Sequence, residues 1–271
     1  MVSRFGTKLS VLAVLILLPL ALLTAACASM ADLEAGDCVA RSEEGSFSPA
    51  DCDDPNAEFQ VLERIDEPGE SCYDVPGVTD AYRVSRGPEL CIGPRNVDPA
   101  TAVNTAQPGD CLTEINQADP DPRRQSVRRV DCASPEAVYR VLDRVSGSSL
   151  KKDECASTPG TVVTYSWWLH SDNAIAGIQS ERVFCLIPKD MDPQASPDLA
   201  QVGDCLGTTD RYNELVRVDC GDPKARYRVL HRDDNALLGG ELACRGVRGT
   251  VSTYQKPKGD FKAYALCLGS V

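Results

Sequence analysis

The tripeptide Gly-Asp-Cys occurs three times, at 36–38, 109–111 and 203–205, and each copy opens a segment holding three further cysteines. A repeat of this kind means one small unit used three times, and it constrains the fold more than any composition figure. Each unit must bury its core in fewer than about 80 residues, a size at which extra cross-links are usually needed.

Four blocks recur in order. The first is Gly-Asp-Cys followed by Val39, Leu112 or Leu206. The second ends in Asp51-Cys52, Asp131-Cys132 or Asp219-Cys220 and runs into Asp54-Pro55, Ser134-Pro135 or Asp222-Pro223. Proline at the second position of a turn has its φ preset, and Asp or Ser before it bonds the backbone. Next come Phe59-Gln60-Val61-Leu62, Tyr139-Arg140-Val141-Leu142 and Tyr227-Arg228-Val229-Leu230. An aromatic and a valine two apart, with a polar residue between, give strand periodicity. In the third block Cys72, Cys155 and Cys244 each have glycine five residues on (Gly77, Gly160, Gly249) and tyrosine ten on (Tyr82, Tyr165, Tyr254). The last block is a strand through Cys91, Cys185 or Cys267.

Thirteen cysteines, with no C-x-x-C and only His170 and His231 to help them, do not make the usual zinc spacings. They read as disulfides, which persist outside the reducing cytosol. The N-terminus gives the route of export. Arg4 and Lys8 precede an apolar run, Leu9 to Leu23, that is short for a membrane span and suits a signal peptide. It ends in Leu-Thr-Ala-Ala-Cys27, a lipobox-like sequence that departs from the usual pattern at Thr24. Ordinary signal-peptidase cleavage after Ala28 is the alternative. Removing Cys27 leaves twelve cysteines, four per unit, so a lipidated Cys27 leaves no odd thiol.

The expected architecture is mainly β, with a small α+β contribution near the third cysteine: three tandem disulfide-stapled modules joined by Pro-containing linkers. Residues 1–26 are the signal peptide, 27–35 the lipid anchor and a short tether, 36–93 module 1, 94–108 a linker, 109–188 module 2, 189–202 a second linker and 203–271 module 3. The linkers read as extended, semi-stiff spacers. Four cysteines allow three pairings. First with second and third with fourth is favoured, because the first pair then bridges a hairpin. That gives Cys38–Cys52, Cys72–Cys91, Cys111–Cys132, Cys155–Cys185, Cys205–Cys220 and Cys244–Cys267.

The unit GDC…VDC…DPxAxYxVL…C…Y…CL resembles the four-cysteine domain of the LppU family of actinobacterial lipoproteins. Module 3, Gly203 to Gly269, carries the resemblance best. Module 1 departs most, lacking valine before Asp51 and having Phe59 in place of tyrosine. The resemblance implies a cell-envelope lipoprotein and supplies no catalytic residues.

No Gly-x-Ser-x-Gly, phosphate loop or His-Glu-x-x-His is present. All repeated cysteines are committed to bridges, and the two histidines stand at non-equivalent places. The sequence therefore offers no catalytic residues, no cofactor and no metal site. Asp37, Asp110 and Asp204 read as turn residues rather than calcium ligands. A net charge of −12 argues against a nucleic-acid partner, and module 1 holds most of it, with 16 acidic and 5 basic residues between Ala31 and Arg95. Trp167-Trp168 occurs only in module 2. On a strand adjacent side chains face opposite ways, so at most one of the pair is core and the other is the best candidate for a contact surface.

Two functions fit. One is a non-enzymatic lipoprotein on the extracytoplasmic face of the membrane, presenting a surface to an envelope protein or cell-wall polymer. The other is a small-molecule or metal-ion binding lipoprotein, which requires a concave pocket. The anchor is tested directly: mass spectrometry of the mature N-terminus should find a diacylglyceryl group on Cys27, and Cys27→Ala should release the chain from membranes. A mature chain starting at Ser29 would refute it.

Overall fold

A computed structural model describes residues 29–67, 70–85, 87–116, 126–148, 154–171, 180–209, 215–259 and 262–271. Cys27 and the apolar leader lie outside the described residues. The chain is mainly β, in three sheets stapled by six disulfides.

Module 1 contains β1 (Cys38–Arg41), β2 (Phe47–Pro49), β3 (Phe59–Ile65), β4 (Asp80–Arg83) and β5 (Glu89–Pro94). Module 2 contains β6 (Cys111–Leu112), β7 (Arg129–Val130), β8 (Tyr139–Ser148), β9 (Val163–Trp168), β10 (His170–Ser171) and β11 (Ser180–Pro188). Module 3 contains β12 (Cys205–Thr208), β13 (Leu215–Val218), β14 (Ala225–Asp233), a single helical turn α1 (Gly240–Ala243), β15 (Ser252–Gly259) and β16 (Lys262–Ser270). The spatial order is the same each time: β2-β1-β3-β5-β4, β7-β6-β8-β11-β9 and β13-β12-β14-β16-β15. Within each unit all neighbours are antiparallel.

The repeated tripeptide sets the register. Gly36, Gly109 and Gly203 have φ of 99°, 100° and 99°, in the left-handed region that glycine enters freely. Each glycine N–H donates to the carbonyl of Val61, Val141 or Val229 at 2.8 Å. That valine's own N–H returns a bond to the carbonyl of Asp37, Asp110 or Asp204. The aspartate carboxylate turns back to accept the N–H of Glu34, Gln107 or Gln201. Gly-Asp is therefore a reciprocal clamp between the first strand and the long strand beside it. Cys38, Cys111 and Cys205 accordingly stand opposite Gln60, Arg140 and Arg228.

The bridges join first cysteine with second and third with fourth in every module, with Cα–Cα separations of 5.0–5.4 Å. The first ties the opening strand to the turn at its hairpin partner's end. The second pins a short helical segment (Cys72–Asp74, Glu154–Ser157 or the end of α1) to the buried strand through Cys91, Cys185 or Cys267. Each such bridge contributes roughly 2–4 kcal/mol, which offsets the small core of each unit.

The linkers are not extended spacers. Each folds into two consecutive 3-10 turns, Pro99–Thr101 with Val103–Thr105, and Pro193–Ala195 with Pro197–Leu199. Asp98, Asp192 and Ser196 cap three of these turns by accepting a backbone N–H two residues on. The same segment precedes module 1. Arg64 donates to the carbonyls of Ala31 and Leu33, as Arg232 does to those of Asp198 and Ala200. Residues 29–35 are thus part of the fold, with Leu33 buried. The sequence expectation failed because Pro and Asp were read as solvated punctuation when they cap turns whose alanines (Ala102, Ala106, Ala200) pack inward.

Modules 1 and 2 share one core. It joins Ile65, Val75, Val78 and Ala81 to Leu112, Val141, Trp167, Phe184 and Leu186. β10 also leaves its own sheet and pairs in parallel with β4, His170 opposite Asp80, making the first sheet six-stranded. Close backbone approach limits substitution in this frame. A Cβ on Gly93 would lie 2.4 Å from the Gly77 carbonyl oxygen, whereas one on Gly221 meets nothing within 4 Å. Gly93→Ala should therefore destabilise by about 1–3 kcal/mol and Gly221→Ala should not, as read by thermal melts of the oxidised protein.

Candidate functional site

Each linker carries one side chain that reaches back into the module it leaves. Asn104 is 1% exposed. Its Oδ1 accepts the N–H of Gly77 at 3.1 Å, and its Nδ2 donates to the carbonyls of Tyr73 and Val75. Asp198 stands at the equivalent place, five residues before the next Gly-Asp-Cys, and accepts the N–H of Gly160 at 2.9 Å. The glycines of C-x4-G-x4-Y have φ of 82° and 86° at these positions. They turn the chain so that an N–H points at the linker.

The following module then docks on the capped turn. At the first junction Trp167 packs edge-on against Tyr73, with ring centroids 5.8 Å apart. Arg182 donates to the Tyr73 and Asn104 carbonyls and to Asp74, and lies over the Tyr73 ring. At the second junction the equivalent residues are Lys256 and Tyr264. Lys256 Nζ donates to the Thr161 carbonyl at 2.9 Å and to Asp198 Oδ2 at 2.6 Å, and the Tyr264 hydroxyl donates to Asp198 Oδ1. Tyr254 is in turn hydrogen-bonded to Tyr264.

Between the docked elements each junction leaves a cleft, and the two clefts are lined by equivalent positions. The first encloses about 540 Å³. Its walls include Gly77, Val78, Thr79, Val97, Asp98, Asn104, Val127, Tyr165, Trp167 and Trp168. The second encloses about 200 Å³. There Gly160, Thr161, Val162, Met191, Asp192, Asp198, Leu215, Tyr254 and Lys256 take the same places in the repeat. The first lies within the range of small-molecule sites, roughly 300–1,000 Å³, and the second falls below it.

Their electrostatics differ. At the second junction burial pushes the Asp198 carboxyl up, but Lys256, Tyr264 and the Gly160 N–H outweigh it and hold the group below its ordinary value. Burial and the neighbouring Tyr254 and Asp198 push the Tyr264 phenol far up, so it stays a donor. At the first junction neutral Asn104 replaces the carboxylate. Tyr165 is 4% exposed and stacks near Phe184. Burial alone pushes its phenol up, and no group among the described residues bonds its hydroxyl. The Val78 carbonyl, counterpart of the Thr161 carbonyl that receives Lys256, likewise accepts no hydrogen bond among the described residues.

Of the tryptophan pair, Trp167 is buried in the junction and Trp168 is half-buried on the cleft wall. Sequence reading missed Tyr165, Val78 and the linker residues as parts of a site. A usable signal existed: Asp98-Pro99 and Asp192-Pro193 stand at the same distance before Gly-Asp-Cys, as do Ala106-Gln107 and Ala200-Gln201. Extending the repeat upstream places Asn104 against Asp198. His170 lies on β10, and His231 is exposed on β14. Among the described residues no group of three or more His, Cys, Asp or Glu side chains is placed to hold a metal ion. No family model, curated protein or solved structure matches the chain.

The second junction supplies a pH test. Asp198 ionises at a lower pH in the folded chain than when unfolded. Its stabilisation is therefore fully present above the unfolded carboxylate value of about 3.9 and is lost as pH falls through the folded-state value. Asp198→Asn should cost about 1–3 kcal/mol near pH 7, and the difference from the parent in thermal melts should shrink below about pH 4.

Proposed function

We propose that this chain is a lipid-anchored protein of the extracytoplasmic membrane face, held through Cys27, that binds a ligand rather than catalysing a reaction. The observation that carries the reading is the first junction cleft. It is concave, walled by Tyr165, Trp167 and Trp168, and built from two modules and a linker. A half-buried tryptophan on a pre-formed cleft is a common way to gain contact area at low entropic cost. The motif resemblance to envelope lipoproteins and the density of disulfides support the same placement, and the repeat gives reach from an anchored N-terminus.

Binding rather than chemistry is favoured by the cleft's composition. Its charged residues, Asp98 and Arg128, are occupied: Asp98 caps the Ala100 N–H and Arg128 pairs with Glu136 at 3.0 Å. The surface-presenting reading and the small-ligand reading converge here, because a cleft of this size also takes the end of an envelope polymer.

Trp168 reports on occupancy. Envelope extract fractionated by size should contain a component that raises the melting temperature and shifts tryptophan emission. Trp168→Ala should keep the parent fold by circular dichroism while weakening that stabilisation at least tenfold in ligand concentration. An extract that leaves both signals unchanged for the parent would overturn the reading.

A further inference from the structure

The two junctions are the same site built twice, and the filled copy states what the open copy lacks. At the second junction a continuous hydrogen-bonded chain runs from Tyr254 through Tyr264, Asp198 and Lys256 to the Thr161 carbonyl. The chain's own Lys256 ammonium supplies the donor to that carbonyl. At the first junction Trp167 takes the place of Lys256, Arg182 that of Tyr264 and Asn104 that of Asp198. Trp167 and Arg182 both turn to Tyr73 and its neighbours. The two ends of the hydrogen-bonded chain are therefore left open: the Val78 carbonyl, an acceptor, and the Tyr165 hydroxyl. Both belong to residues at least nine-tenths buried that line the larger cleft.

We infer that the first junction cleft binds a neutral saccharide, one ring stacked on Trp168 and its hydroxyls bonding the Val78 carbonyl and the Tyr165 hydroxyl. The inference rests on the binding function proposed above. The Val78 carbonyl and the Tyr165 hydroxyl, polar groups of largely buried residues that line the cleft, both have to be satisfied, by water when free and by the ligand when bound. A purely apolar ligand would strand them at a cost of about 1–3 kcal/mol for each group. A cationic amine would reproduce Lys256, but the carboxylate that balances Lys256 is an amide here, and both ends of that amide are already bonded inside the protein. An anionic ligand finds only Arg128, already paired. What remains is an uncharged ring with hydroxyls at its edge and an apolar face. Thr79, Asn96, Thr101 and Ser126 add neutral polar groups to the same lining.

The test uses the full oxidised chain and four kinds of probe: a panel of neutral oligosaccharides including N-acetylglucosamine, glucose, mannose, galactose and arabinose oligomers; tetramethylammonium; inorganic phosphate; and octanol. Binding is followed by calorimetry and tryptophan emission. The expected result is saturable binding of at least one oligosaccharide. Trp168→Ala should weaken it tenfold or more, and Tyr165→Phe, which keeps the ring and removes the hydroxyl, severalfold with little change in melting temperature. If only tetramethylammonium, phosphate or octanol binds, or if a saccharide binds equally well to Trp168→Ala and Tyr165→Phe, the saccharide assignment is overturned while a binding function stands. If the parent binds no probe, the saccharide assignment is again overturned, and the extract experiment decides separately whether the binding function survives.

Discussion

The hydrogen bond from a turn glycine to a linker side chain, Gly77 to Asn104 and Gly160 to Asp198, is the constraint through which three small units become one structure. The glycine must adopt a positive φ to present its N–H, and the linker must fold back on itself to meet it. Once that contact is made, the linker's second 3-10 turn leads directly into the next Gly-Asp clamp. Orientation is then passed on: the clamp fixes the register of the next long strand, which carries the strand through the last cysteine, which presents Arg182 or Tyr264 to the same capped turn. The disulfides hold each unit internally. Among the contacts described they do not join units, because every bridge lies within one repeat.

The junctions explain how modules this small remain folded side by side. Module 1 keeps a core around Val39, Val61, Leu90 and Ile92, and it also contributes Ile65, Val75, Val78 and Ala81 to a second core shared with module 2 across the linker. Module 3 has the core equivalent to that of module 1, around Leu206, Val229, Leu266 and Leu268, and it meets module 2 and the linker through polar contacts to Asp198 and Thr161. The first junction combines apolar burial with the Arg182 contacts to Tyr73, Asn104 and Asp74. The second rests on a partly buried ion pair whose carboxylate is held below its ordinary value, so the second is expected to weaken in acid. β10 adds a backbone tie at the first junction that module 3 does not repeat among the described residues.

Much of the unit was legible in the sequence because its signals are local. Positive-φ glycines, Pro turns and the period-two strand around Val61, Val141 and Val229 act over a few residues, and the cysteine spacing follows from them. The Trp167-Trp168 doublet was legible in part: strand alternation leaves one of the pair buried and the other half-buried, but that both line one cleft was not. The junctions were not legible, for a physical reason. Asn104 and Asp198 look like solvated linker residues until the turn they cap is known, and that turn lies 27 and 38 residues upstream. The cleft is assembled from four stretches separated in sequence, around 77–79, 94–104, 126–128 and 165–168, so no window of the chain contains its chemistry. The parallel pairing of β10 with β4 is likewise non-local.

Duplication separates internal stability from the binding proposed for the first cleft. A cleft that leaves a carbonyl and a hydroxyl without protein partners gives up stabilisation relative to one that satisfies them internally. A chain with one junction would have to choose. With two, the Lys256–Asp198–Tyr264 network satisfies the polar groups of the second cleft internally, while the first cleft keeps its open groups beside the aromatic and apolar packing around Trp167, Tyr73 and Phe184. The asymmetry lies in three exchanges at equivalent positions, Trp167 for Lys256, Arg182 for Tyr264 and Asn104 for Asp198. The exchange at the linker position matters most: an amide bonded inside the protein leaves no carboxylate at that point of the first cleft, and a carboxylate at the second demands a cation, which Lys256 provides.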